Sequence, residues 1–188
     1  MPAPPLSTAL VADPSVYTWI HASFGHCSSI RAKCVGAEGT SKHDLSLAIL
    51  KIPVKFSLQI RTASSLPLPE ENADTRPRID FICFLINMAD RDSIQVVEKS
   101  LSLVDIRYFL GRACLLVGGA HSHKRMTDIE QVTALSDSYN LPLVFGDIKV
   151  EKERDQLARR ILCMVEIAAG FKEGVSPSVI DSTKYIST

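Results

Sequence analysis

The chain has no excess charge of either sign: 21 Lys and Arg stand against 21 Asp and Glu across 188 residues. That balance gives no electrostatic footprint for a phosphate backbone or an anionic lipid surface, so neither direct nucleic acid nor membrane is expected as a partner. Long apolar runs are missing as well, and none approaches the ~20 residues a membrane span needs. The start of the chain holds Pro2, Pro4 and Pro5 with no basic segment ahead of an apolar core, so no secretory signal is read there. Paired cysteines are also lacking. There are five, an odd number, with no Cys-x-x-Cys, and Cys83, Cys114 and Cys163 lie inside apolar runs, where Cys behaves as a small hydrophobe. The pattern points to reduced thiols of cytosol or nucleus rather than a disulfide frame.

What is present is apolar material for a single core: 46% of the residues are hydrophobic, enough for one domain of this length. The chain is organised around Arg78–Leu103, RIDFICFLINMADRDSIQVVEKSLSL. Ile79–Ile86 is an almost unbroken apolar run and reads as a strand buried on both faces. Asn87–Asp92 is turn chemistry, and Asp92 with Gln95 has capping-box spacing, which predicts a helix start. Ile94, Val97, Leu101 and Val104 then recur at helical steps. Strand, tight turn and returning helix make half of a βαβ unit.

The same unit recurs on either side. Ile30–Val35 is a short strand, followed by a turn and a helix capped by Ser41 with Asp44 and ended by Pro53. Val54–Ile60 alternates, so a strand near a sheet edge is expected. Ala63–Pro77 is a loop with acidic Glu70, Glu71 and Asp74, flanked by Arg76 and Arg78, which suit either those acids or a partner's carboxylate. Asp105–Leu110 is an apolar connection. Ala113–Val117 is a further buried strand. Thr127 with Glu130 predicts a helix to about Tyr139, Leu143–Phe145 a last strand, and Glu151–Ala169 a last helix with the stripe Leu157, Ile161, Val165 and Ala168. Residues 1–29 read as a poorly ordered leader, 30–170 as the α/β domain and 171–188 as a tail. Alternating strands and helices imply a doubly wound, mainly parallel sheet of about five strands, in which ligands sit at the carboxyl ends where strand order reverses.

This order resembles the small GTPases, a P-loop NTPase-like fold. DFICFLINMADRDSIQVV is similar to their fourth strand and its turn, and LLVGGAHS and LPLVFGDIK fall where their base-recognition strands fall. Their chemistry can be tested position by position. A phosphate loop needs G-x-x-x-x-G-K-[ST], so that backbone N–H groups, a lysine and a hydroxyl surround phosphate and Mg²⁺. From Gly36 the chain reads G-A-E-G-T-S-K-H. Lys42 is in register, but Ser41 replaces the second glycine, His43 replaces the metal-binding hydroxyl, and Glu38 adds a repelling charge. Asp80 stands at the start of its strand, the wrong end for a metal. Guanine recognition needs Asn-Lys-x-Asp, and Gly119-Ala-His-Ser122 stands there; the Ser-Ala-Lys element is Asp147-Ile-Lys149. No nucleotide and no other cofactor is therefore expected. The alternative is a divergent NTPase working through Lys42.

A narrower resemblance covers about Ile30 to Ser176: SLPLPEENADTRPRIDFICFLINM, VDIRYFLGRACLLVGGA and AAGFKEGVS are similar to the centromere protein M family. Its most specific blocks are Ser65–Pro69 with Arg76–Asp80, and Tyr108–Gly111. That family is one of GTPase-like inner-kinetochore subunits that do not act as GTPases. The resemblance implies a non-catalytic structural role in the constitutive centromere-associated network, with centromere proteins H, I and K as partners. The residues themselves suggest where: Tyr108, Phe109 and Leu110 in a connection, and Val175, Val179 and Ile180 after the last helix, are grouped apolar residues of the kind that mark partner sites. Phe109 and Leu110 can equally cover the end of the core.

Two polar sets weigh less. His21, His26, Cys27 and Cys34 do not follow zinc-ligand spacing, apart from the two histidines themselves. His121-x-His123 beside Lys124 and Arg125 reads as a solvated turn. None of the cysteines sits on a strand-to-helix elbow with a base beside it, so none is read as a nucleophile.

Overall fold

The computed structural model of the chain describes residues 19–22 (backbone alone), 29–66, 79–120 and 126–172. Its elements in order are β1 (Trp19–Ala22), β2 (Ser29–Gly36), α1 (Lys42–Leu50), β3 (Ser57–Ala63), β4 (Phe81–Asn87), α2 (Arg91–Leu101), a 3₁₀ turn (Ile106–Phe109), β5 (Ala113–Gly118), α3 (Ile129–Ser138), β6 (Leu143–Phe145) and α4 (Glu151–Ala168). The strands form one sheet in the order β1-β3-β2-β4-β5-β6. Every pairing from β3 to β6 is parallel, and β1 alone runs antiparallel, along β3. The doubly wound, mainly parallel sheet is as expected. Its antiparallel edge strand falls inside the stretch read as a leader.

Each face carries its own core. Ile30, Cys34, Leu58, Phe81, Cys83 and Leu116 point toward α1 and α4, which bury Leu45, Ile49, Leu157, Ile161 and Val165 against them. Val35, Ile82, Phe84, Leu115 and Val117 point the other way, toward Val97 and Leu101 of α2 and Val132 of α3. Successive strand residues alternate between the faces, and both faces are covered. This is why β4 and β5 are apolar throughout instead of alternating. The crossover through α1 returns to one side of β2, while β4 opens the other side. Strand order therefore reverses between β2 and β4.

Several boundaries differ from those read in the sequence. The edge-like strand expected at Val54–Ile60 lies at Ser57–Ala63, second in the sheet. Phe56 mimics a strand residue, but it packs from the loop against Phe171, with ring centroids 5.0 Å apart. Ser41 precedes α1 as expected, yet its backbone is left-handed (φ 55°) and its side chain makes no capping bond. The cap of α2 is Asp90, whose carboxylate accepts from Asp92 N–H at 3.0 Å, rather than Asp92 itself. α3 begins after Asp128, not Thr127, and its N-terminus has no side-chain cap.

Candidate functional site

The carboxyl end of the sheet, where this fold binds ligands, is filled by the protein's own groups. A cavity of about 110 Å³ lies there, lined among others by Gly39, Thr40, Ser41, Asn87, Gly119 and Lys149. Small-molecule pockets usually run to ~300–1,000 Å³. The ammonium of Lys42 donates to the carbonyls of Gly36 at 2.7 Å and Ala37 at 3.5 Å and to the Ser64 hydroxyl at 3.2 Å. An ammonium has three protons, so these three acceptors match its donors. Burial pulls its pKa below the usual lysine range, against the nearby Glu38 and Cys34, which favour the charge.

The surrounding turns are satisfied in the same inward way. Thr40 donates to the Ala37 carbonyl at 2.9 Å. Asn87 Oδ1 accepts from Ala89 N–H at 3.1 Å. Asp147 Oδ1 accepts from Lys149 N–H at 2.9 Å, and Glu153 reaches back from α4 to the Asp147 N–H at 2.8 Å. Gly36 serves packing: a Cβ there would lie 2.8 Å from the Leu85 carbonyl oxygen and 2.9 Å from the Leu85 Cβ. Gly39, with φ +78° and open space around it, keeps the conformational freedom typical of a phosphate loop. Asp80 is at the opposite end, where its carboxylate accepts from Arg31 N–H at 2.9 Å and clips β4 to β2. Among the described residues no group of three or more His, Cys, Asp and Glu is placed to hold a metal.

The amino end presents a different surface. The chain leaves α2, makes the 3₁₀ turn and enters β5. Asp105 caps that turn, accepting from the Arg107 N–H and from both Nε and Nη2 of its guanidinium, each at 2.9 Å. The Arg107 side chain, with its backbone N–H second, holds the Asp105 carboxyl at about 2, below its usual 3.8. Tyr108 points inward and its hydroxyl donates to the Ile79 carbonyl at 2.8 Å. Phe109 is half-buried and meets the Tyr139 ring at a tilt, with centroids 5.2 Å apart. Leu110 is 70% exposed, and Ile106 and Leu103 beside it in the chain are 75% and 57% exposed.

The three sequence-predicted residues thus divide. Tyr108 and Phe109 anchor the turn in the core, while Leu110 faces solvent. Leu103 and Ile106 were missed, because Leu103 reads as the end of a helix stripe and Ile106 as an ordinary connection residue. The spacing of Leu103, Ile106 and Leu110, at steps of three and then four, is the signal that could have found them. Val175, Val179 and Ile180 lie outside the described residues, as do Arg76, Arg78, Glu70–Asp74, His26, Cys27, Ser122 and the 121–125 turn.

The family model for Centromere protein M (CENP-M) matches residues 28–187. The chain belongs to this family. Centromere protein M of Xenopus laevis is 36% identical over 149 residues, covering 79% of this chain and 83% of the relative. The Homo sapiens protein of that name is 36% identical over 143 residues, 76% of this chain and 78% of its own. The Danio rerio protein is 32% identical over 133 residues, 69% of this chain and 70% of its own. As a CENP-M family member the chain spans most of the length of these relatives, and both ends of the sheet described above fall inside the matched region.

Proposed function

We propose that the protein is a non-catalytic, GTPase-like structural subunit of the inner kinetochore, resident at the centromere in the nucleus. In this reading it stabilises an assembly with centromere proteins H, I and K that supports chromosome segregation in mitosis. The name shared by its relatives supports the centromeric setting. The observation that carries the role is the pairing of a fold normally used for ligand binding with solvent-facing Leu103, Ile106 and Leu110 at its other end. A carbon-rich surface held on a capped, core-anchored turn suits a protein partner, because apolar area removed from water stabilises association by ~25 cal/mol per Å² before ordering costs.

The test is co-purification of the folded chain with centromere proteins H, I and K. Leu110→Glu should lose the centromere protein I subunit while the melting temperature holds. Retention of all three partners by a folded Leu110→Glu, Ile106→Glu double variant would refute the assignment of the surface. Micromolar affinity for Mg²⁺–GTP or Mg²⁺–ATP, lost on Lys42→Ala, would replace the structural reading with a divergent NTPase.

A further inference from the structure

Helices α2 and α3 follow the adjacent parallel strands β4 and β5 and pack on the same face of the sheet, so they run side by side in one direction. Between them lies a groove of about 580 Å³, against about 110 Å³ for the cavity at the carboxyl end. Its α2 wall presents Arg91, Gln95 and Glu98, and its α3 wall faces them with Gln131. Residues three and four apart on a helix share one side, which is why the α2 set lines up. The floor is apolar: Ile94 is half-buried and Leu135 is buried, both packed on the core below.

The lining selects an occupant. At the head of the groove Thr127 is 5% exposed, and its hydroxyl oxygen is buried without a hydrogen-bond partner. Buried hydroxyls are normally paired, so a polar group is wanted there. Met126 beside it is 63% exposed and offers an adaptable apolar rim. Arg91 and Asp128 at that end carry opposite charges, which leaves Glu98 as the uncompensated charge of the lining. Among the described residues Glu98 has no ion-pair partner. It lies seven residues beyond Arg91, two turns or ~10 Å along the axis. The walls are helices whose main-chain groups are already bonded along their length. An extended peptide laid between them would find no partners for its own backbone, whereas a helix satisfies its own. The groove also does not end alone: Leu103, exposed, follows the last residue of α2 by two positions.

We propose that the α2–α3 groove seats an amphipathic helix of a protein partner. That helix is about two to three turns long. It lays apolar side chains on Ile94, Leu135 and Met126, sets a Lys or Arg against Glu98 and brings a hydrogen-bonding side chain to Thr127. The inference rests on the reading of Leu103, Ile106 and Leu110 as a docking surface and extends that surface along α2, so that one partner covers both.

The test uses the full chain assembled with centromere proteins H, I and K. A photo-cross-linking benzoylphenylalanine replaces Gln131 in one preparation and Leu103 in another, both exposed positions, and the linked peptides are read by mass analysis. Expected is a link from each position to the same partner. The link from Gln131 should fall in a helical segment with apolar residues at steps of three and four and a Lys or Arg among them. Ala134→Trp, which fills the groove from an exposed position, should weaken assembly at least ~10-fold with the melting temperature unchanged, and Glu98→Lys should weaken it less. A link from Leu103 without one from Gln131 overturns the groove and leaves the docking surface standing. A link from Gln131 without one from Leu103, or links from neither, removes the surface on which the inference rests and overturns both. The inference also falls if Gln131 links to a second copy of this chain or to a segment that is not helical. The cross-links alone decide between these outcomes, so failure of Ala134→Trp to fold leaves the test intact.

Discussion

The two ends of the sheet use their side chains in opposite ways. At the carboxyl end, polar groups turn inward: Lys42, Thr40, Asn87 and Asp147 all bond to nearby backbone or side chains. At the amino end, apolar groups turn outward: Leu103, Ile106 and Leu110 face water while Asp105 and Tyr108 secure the turn that carries them. A ligand-binding end needs groups left free for the ligand, and a docking end needs apolar surface left free for a partner. The contrast teaches that one sheet can present different chemistry at its two ends, which is why fold alone does not assign function.

The sharpest way to break the contrast is at the amino end. Leu110→Glu, and Ile106→Glu with it, should weaken partner binding more than ~30-fold, the scale of a hot-spot residue at about 2 kcal/mol or above. Both side chains are solvent-exposed, so urea unfolding should shift by no more than about 0.5 kcal/mol. Loss of stability matching the loss of binding would show that they belong to the core. At the carboxyl end, Gly36→Ala should destabilise by about 1–3 kcal/mol in urea unfolding, because its Cβ meets Leu85 backbone in a full interior. A neutral result would mean the loop is open, as a phosphate loop requires.

Smaller effects sharpen the picture. Tyr108→Phe removes one hydrogen bond and leaves the Ile79 carbonyl without it, so about 1 kcal/mol should be lost, with a proportionate fall in partner binding if the turn's posture matters. The smallest effect is that of Asp105. Its folded pKa is depressed, from 3.8 to about 2, so its contribution is complete above the unfolded value and is lost as pH falls through the folded one. Between pH 5 and 8 the turn should not respond. The carboxyl resonance in an NMR titration should move only below about pH 4, and salt should reduce the shift, since the pair lies at the surface.

Much of this was legible in the residues. β4 and β5 announce themselves because strands buried on both faces must be apolar throughout, and the stripe of α4 repeats at helical steps over 18 residues. The departures from the phosphate and base motifs at Ser41, His43 and Asp147 are read from the residues alone, since that chemistry tolerates few substitutes at fixed spacing. β1 was not, because a four-residue edge strand has no room for a period and is defined by its pairing with β3. Phe56 displaced the reading of β3, because a loop residue packed on Phe171 looks like one in a strand. Asp90, rather than Asp92, caps α2 because the turn closes two residues earlier than the capping-box spacing suggests. The alignment of Cys34, Cys83 and Cys114 across the sheet is invisible in one dimension: only the register of three strands distant in sequence creates it.

Hydrogen–deuterium exchange on the chain alone and in complex with centromere proteins H, I and K reads both ends at once. The account predicts that amides from Ser102 to Gly111 gain protection on assembly while those from Gly36 to His43 exchange as they do in the free chain. Protection confined to the Gly36–His43 loop, with Ser102–Gly111 unchanged, would contradict it.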